Sequence, residues 1–288
     1  MKFYKYHGLG NDYIVMDPAD HPLDFSESDI QTICHRNFGI GSDGILMGPI
    51  PTDKADFALR IFNPDGSEAE KSGNGLRIFS RYLFDKTMVS HAPFSIATIG
   101  GIVRSCIHED KLISVDMGGV SFDSAKIPVT GRPRQVLNEK IDLKGREITL
   151  CAATIGNPHC VIVADEISAE LARELGPPLE THPMFPNRTN VQFMKIMDRS
   201  NVRIEIWERG AGYTLASGSS ASASAAVAVA LGHTDPDITV HMPGGNLEIH
   251  VHADFSITLK GPVTRVGEGS IDSEIFQAMP TIAQTDRR

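Results

Sequence analysis

Two serine–glycine turns, each opening a run of helical spacing, constrain this chain more than any other feature. In the second, a β-like run over 202–207 enters Glu208-Arg209-Gly210-Ala211-Gly212-Tyr213, and Ser217-Gly218-Ser219-Ser220 then leads into small residues over 221–231. In the first, a β-like run over 58–62 enters Asn63-Pro64-Asp65-Gly66-Ser67-Glu68. Lys71-Ser72-Gly73-Asn74-Gly75-Leu76-Arg77 follows and leads into 78–84, where apolar residues recur at helical intervals. Ser72 and Ser217 stand 145 residues apart, the difference between 217 and 72, about half of the chain. At a helix start the first N–H groups lack partners inside the helix and present partial positive charge to an anion. A duplicated fold whose halves meet would set two such starts and two hydroxyls around one cleft, a common place for a ligand. Either turn alone is equally consistent with a capped helix packed tightly through small residues.

Around these turns the chain reads as short strands with few helices. Strands are expected at 3–7, 13–16, 94–96, 101–103, 112–116, 148–153, 160–164, 190–194 and 256–259, with 238–242 and 247–251 paired as a hairpin across Pro243-Gly244-Gly245-Asn246. Ser26-Glu27-Ser28-Asp29 resembles a capping box opening a helix through about Asn37, and 169–175 predicts another helix. Gly39-Ile40-Gly41-Ser42-Asp43-Gly44 reads as a turn and not a phosphate loop, because no lysine and no helical run follow it.

The 288 residues suffice for two domains, and 41% hydrophobic with 22% charged residues is the composition of a soluble globular protein. A net charge of −9 argues against nucleic acid or an anionic membrane as the main partner. No signal peptide and no membrane-length apolar run is evident, so a cytoplasmic location is expected. Cys34, Cys106, Cys151 and Cys160 show no metal-site spacing and read as buried free thiols. His241, His250 and His252 are the one group worth weighing as a metal site. No carboxylate or cysteine completes them at telling spacing, so no metal is expected.

Taken in order, the motifs resemble the diaminopimelate epimerase family. They are Gly8-Leu9-Gly10-Asn11-Asp12, Phe38-Gly39-Ile40-Gly41-Ser42-Asp43, Phe62-Asn63-Pro64-Asp65-Gly66-Ser67-Glu68, Ser72-Gly73-Asn74-Gly75-Leu76-Arg77, Gly156-Asn157-Pro158-His159-Cys160, Arg188-Thr189-Asn190-Val191 and Glu208-Arg209-Gly210-Ala211-Gly212. The resemblance implies an α+β fold of two pseudo-symmetric barrel-like domains, each wrapped around a central helix: residues 1–120, with a returning segment 263–288, and residues 121–262. It implies a free amino acid as substrate, diaminopimelate in lysine biosynthesis, inverted at its α-carbon without cofactor or metal, and it is compatible with a homodimer. By analogy Asn11, Asn63, Asn157, Asn190 and Arg209 hold the distal end of the substrate. Gly73, Asn74, Gly218 and Ser219 present backbone donors to the carboxylate at the reacting carbon. Glu208 and His159 orient or tune the acid–base pair.

One departure bears on the chemistry. The family's acid–base residues are cysteines, and this chain has Ser72 and Ser217 at both positions. A thiol with a pKa of ~8.5 can be poised as thiolate near neutrality. A hydroxyl is a far weaker acid and needs an adjacent base. Three readings stay open: serines introduced to trap an inactive complex, a natural branch with altered chemistry or substrate, and an amino-acid-binding relative without catalysis. Gly44, Tyr213 and Ser220 also depart from the family pattern, which favours the natural branch over a simple double substitution.

Overall fold

A computed structural model describes residues 1–20, 25–143 and 145–277. The first part of the chain forms β1 (Lys2–Gly8), β2 (Asn11–Met16), α1 (Glu27–Cys34), β3 (Ile45–Ile50), β4 (Phe57–Phe62), β5 (Glu68–Ala69), α2 (Gly73–Asp85), β6 (Phe94–Thr98), β7 (Gly101–Ile107) and β8 (Ile113–Gly119). After β9 (Glu139–Leu143) come β10 (Arg146–Thr154), β11 (Pro158–Val163), α3 (Ala169–Glu180), β12 (Asn190–Asp198), β13 (Asn201–Glu208), β14 (Gly212–Thr214), α4 (Gly218–Ala230), β15 (Asp237–Met242), β16 (Gly245–Val251) and β17 (Ser256–Gly261). Strand β18 (Thr264–Ser270) and a short 3₁₀ turn, Ser273–Phe276, end the described chain.

The strand pairings of these two parts repeat one another. β1 and β2 pair antiparallel, β2 and β3 parallel, β3 and β4 antiparallel, and β4 and β6 parallel, before β6, β7 and β8 form an antiparallel meander. β10 to β17 reproduce that series with the same polarity at each step, through β10–β11, β11–β12, β12–β13, β13–β15, β15–β16 and β16–β17. Two seams join the parts. β17 pairs antiparallel with β8, setting Leu259 opposite Val115, and β18 pairs antiparallel with β1. Residues 278–288 of the expected returning segment lie outside the described residues.

Each strand series surrounds one helix. α2 packs on β1, β2, β3, β7 and β8, and buries Leu76, Ile78, Phe79, Tyr82 and Leu83 against them. That spacing gives an apolar face at i, i+3 and i+7 with its flanks filled in. α4 packs on β10 to β13 and β15 to β17. It is nearly all Ala, Ser and Val, and Ser220 to Ala228 is buried throughout. Short side chains let strands close on every face of the helix, which is why its sequence shows no amphipathic period. Buried residues of both helices belong to one continuous apolar core.

Several local expectations need correction. α1 stops at Cys34 and not near Asn37, because His35 turns extended at ψ 123° and the chain enters a tight turn. α3 runs past Leu175 through Pro177 and Pro178 to Glu180. The prolines withdraw donors from the carbonyls of Arg173 and Glu174, which lie on an exposed face where water can replace them. Cys34, Cys151 and Cys160 are buried free thiols, but Cys106 is only half-buried, on the outward side of β7. Among the described residues no helix is long and apolar enough to cross a membrane.

Candidate active site

The two serine–glycine turns do meet. Ser72 and Ser217 are the N-caps of α2 and α4, both with extended backbone, and each oxygen accepts the N–H three residues on: Gly75 at 3.0 Å and Ser220 at 3.4 Å. The N–H groups of Gly73, Asn74, Gly218 and Ser219 therefore remain without intrahelical acceptors at the very tips. The tips abut. A Cβ on Gly73 would stand 3.7 Å from the Gly218 Cα, and one on Gly218 would stand 3.5 Å from the Gly73 Cα. The tightest neighbours at both positions are side chains: a Cβ on Gly73 would lie 3.1 Å from Met117 and one on Gly218 would lie 3.1 Å from Leu259. The floor is Met117 on β8 and Leu259 on β17, across the seam between the two strand series.

Charged groups lie beside both helix tips. Behind α2, Arg77 is fully buried, and it donates to the Gly73 carbonyl at 3.2 Å and to the Asn74 Oδ1 at 2.7 Å, with its Nε unpartnered. Burial pulls its guanidinium down to about 9, so it is charged at neutral pH. Asn74 in turn donates to Asn11 at 3.0 Å, and Asn11 donates to Asp43 at 2.9 Å. Arg36 bridges Asp43 and Asp12. On the α4 side, burial raises the Glu208 carboxyl above the ordinary range, the nearby Ser217 hydroxyl opposes the rise and the charge of Asp43 adds to it.

His159 is wholly buried and, by burial, pulled down from 6.5 to about 3, so it is neutral at physiological pH. Its Nε2 lies 2.9 Å from the Asn157 Oδ1, while the Asn157 amide donates to Ser219 at 3.4 Å. Ser219 and Ser217 hydroxyls are 3.4 Å apart. His159 thus reaches the serine through Asn157 and Ser219, and not directly. Asn190 is buried, donates to the Pro158 carbonyl at 2.8 Å and accepts the Arg209 N–H at 3.0 Å. The exposed Arg209 guanidinium donates to the Asn187 carbonyl at 3.1 Å. Asn63 lies in the turn after β4 and donates to Ser67 at 3.0 Å.

Two site neighbours were not visible from sequence. The Tyr13 hydroxyl is 3.1 Å from the Ser72 Oγ. Glu180, at the end of α3, is buried and accepts the Trp207 indole N–H at 2.7 Å, the Gly210 N–H at 2.9 Å and the Arg188 guanidinium, so it pins the turn that carries Glu208 and Arg209. Tyr213 points elsewhere: its hydroxyl donates to Glu205 at 2.6 Å, and Arg173 lies over its ring. His241, His250 and His252 make separate hydrogen bonds to Asn246 and Asn201, to Asp237 and to Thr258. Among the described residues no three His, Cys, Asp or Glu side chains are grouped to hold a metal ion.

A repeated strand series around two abutting, serine-capped helices has close counterparts. The sequence profile described as diaminopimelate epimerase matches residues 3–122 and 151–266. The chain is 61% identical over 277 residues to diaminopimelate epimerase 2 of Nostoc sp. (strain PCC 7120 / SAG 25.82 / UTEX 2576), covering 96% of this chain and 97% of the relative. It is 40% identical to the diaminopimelate epimerase of Desulfitobacterium hafniense, over 93% of this chain and 97% of that one. In fold it is similar to a hydroxyproline epimerase from Agrobacterium vitis solved with trans-4-hydroxy-L-proline, with a TM-score of 0.71 at 15% identity over 98% and 96% of the two chains. A probable proline racemase from Agrobacterium radiobacter is similar too, with a TM-score of 0.66 at 16% identity over 94% and 93%. Profile, relatives and fold agree along nearly the whole length, and the chain belongs to the diaminopimelate epimerase family.

Proposed function

We propose that this chain interconverts LL- and meso-diaminopimelate, a step of lysine biosynthesis, by inverting one α-carbon between Ser72 and Ser217. The observation that carries the reading is the abutment of the two helix tips. The tips of α2 and α4 meet with a serine hydroxyl at each, and the N–H groups of Gly73, Asn74, Gly218 and Ser219 are the donors assigned to the substrate carboxylate. A carboxylate bound there delocalises the negative charge that develops when the α-proton leaves, and donors already aimed at it need not reorganise. Asn11, Asn63, Asn157, Asn190 and Arg209 are the groups assigned to the distal amino-acid end. Glu208, its carboxyl raised by burial near the Ser217 hydroxyl, is the group assigned to exchange a proton with it. The two parts of the chain, divided near Val120, then act as two domains closing on one substrate.

The test is incubation with LL-diaminopimelate in heavy water, followed by chiral separation and α-deuterium analysis. Formation of meso product carrying α-deuterium is expected, and the absence of both exchange and inversion would refute the reading. The hydroxyls at both acid–base positions favour one other reading, an amino-acid-binding relative without turnover. Binding without exchange, in the native chain and in Ser72→Cys, Ser217→Cys alike, would select it.

A further inference from the structure

We propose that Tyr13 is a positioning and relay residue for Ser72, passing a proton to and from that hydroxyl so that it can serve the second face of the substrate. The inference rests on the epimerase reading above and adds the group that the Ser72 side otherwise lacks. On the other side the Glu208 carboxyl lies near the Ser217 hydroxyl. On the Ser72 side no carboxylate or imidazole is bonded to the serine among the described residues, and the phenol at 3.1 Å is the ionisable partner it has.

The ring is held in a built position. Tyr13 is buried on β2, and its ring fills the space where a side chain at position 44 would begin: a Cβ on Gly44 would lie 2.6 Å from the Tyr13 Cε1. The hydrogen-bond capacity of Ser72 also fits. Its oxygen accepts the Gly75 N–H at 3.0 Å through one lone pair and can accept the Tyr13 hydroxyl through the other, which leaves its own O–H free to point at the cleft. Burial pushes the Tyr13 phenol up to about 12, opposed by the Ser72 bond and reinforced by the charges of Asp43 and Glu208, so it is a neutral donor at rest.

The proton movements balance. The Ser217 oxygen takes the α-hydrogen as its own proton passes to the Glu208 carboxylate, leaving the electron pair of the broken C–H bond on the carbanion. On the opposite face the Ser72 proton bonds to that electron pair, and the Tyr13 proton replaces it on the Ser72 oxygen. The net result is an inverted carbon, a protonated Glu208 and a Tyr13 phenolate. Water then removes the first proton and returns one to the second. The reverse reaction retraces these steps.

The experiment follows Tyr13→Phe, Ser72→Cys and the double variant with LL- and with meso-diaminopimelate in heavy water. Folding is checked by circular dichroism, and binding of each isomer by calorimetry. In Tyr13→Phe inversion should fall about 100-fold or more, while one isomer still takes up α-deuterium with retention through Ser217 and Glu208. A thiol at position 72 ionises without the phenol, so Ser72→Cys should restore inversion in the Tyr13→Phe background. Inversion by Tyr13→Phe within about threefold of the native rate overturns the relay. So does a loss that Ser72→Cys does not repair in a folded, substrate-binding protein, since that marks a structural role. A native chain that neither exchanges nor inverts either isomer overturns the epimerase reading itself, and the relay with it.

Discussion

Glu180→Gln probes how the turn carrying Glu208 and Arg209 is held. The Glu180 side chain is 5% exposed and gathers donors from three segments: the Trp207 indole, the Gly210 backbone and the Arg188 guanidinium. Its own carbonyl also accepts the Thr189 N–H at 3.1 Å, next to Asn190. Replacing one carboxylate oxygen by an amide nitrogen sets a donor against a donor. It strands either the indole or the Gly210 N–H, at about 1–3 kcal/mol, and weakens the remaining bonds from charge-assisted to neutral by about 1 kcal/mol. The Arg188 side chain is 51% exposed, so its ion pair is screened by solvent and adds little. The expected loss is therefore about 2–4 kcal/mol, a large share of the roughly 5–15 kcal/mol typical of a folded chain. Equilibrium urea unfolding at pH 7 should show a lowered midpoint with an unchanged slope. Calorimetry should show weaker diaminopimelate binding, because Arg209 and Glu208 lose their fixed backbone. A midpoint within about 0.5 kcal/mol of the native protein, or unaltered affinity, would show that the turn does not depend on this carboxylate.

Ser72→Cys, Ser217→Cys should raise α-deuterium exchange by about 100-fold or more, since thiolates replace hydroxyls of negligible acidity; an unchanged exchange rate would mean that acidity at these positions does not limit the reaction. Arg209→Ala should weaken diaminopimelate binding about tenfold or more, the loss of one charge-assisted contact at ~1.5–3 kcal/mol, with unchanged affinity refuting its assignment. The unfolded chain protonates the His159 ring as pH falls through 6.5 and the folded chain only near 3, so stability is lost progressively across that window. His159→Gln should flatten the urea stability–pH profile between those values by up to about 1.4 kcal/mol per pH unit, and parallel profiles would count against a buried neutral imidazole.

What was legible in the sequence was local and repeated. Ser72-Gly73 and Ser217-Gly218 announced the two helix starts because a cap residue and a glycine next to it act within one turn of chain. The hairpin of β15 and β16 was legible for the same reason, through its alternating apolar residues and its Pro-Gly-Gly turn. β3 was missed because Gly48-Pro49 interrupts its apolar run, and β14 because three residues carry no period. The helix past Leu175 was missed because Pro177 and Pro178 normally end one, and only the exposed carbonyls before them explain the exception. The long-range contacts at the candidate site were hidden for another reason. Tyr13 meets Ser72, and Glu180 meets Gly210, only after strand register and helix packing are set, and nothing in either local sequence encodes the pairing.

The buried charge of Arg77, bonded to Gly73 and Asn74 at the start of α2, bears on how the proposed site would hold a carboxylate. Arg77 has no carboxylate in ion-pair contact among the described residues, and burial lowers the pKa of its guanidinium. An isolated cation inside a protein costs several kcal/mol unless something offsets it. The Gly73 carbonyl and the Asn74 amide oxygen offset part of that cost, and its Nε finds no partner. The Gly73 and Asn74 N–H groups at the start of the same helix add the positive end of its dipole. On the epimerase reading proposed above, a carboxylate bound at the tips would supply a counter-charge, and the carbanion formed beside it would carry more negative charge than the ground state. On that reading the buried arginine would favour binding of a substrate carboxylate, and the reaction's high-energy intermediate still more.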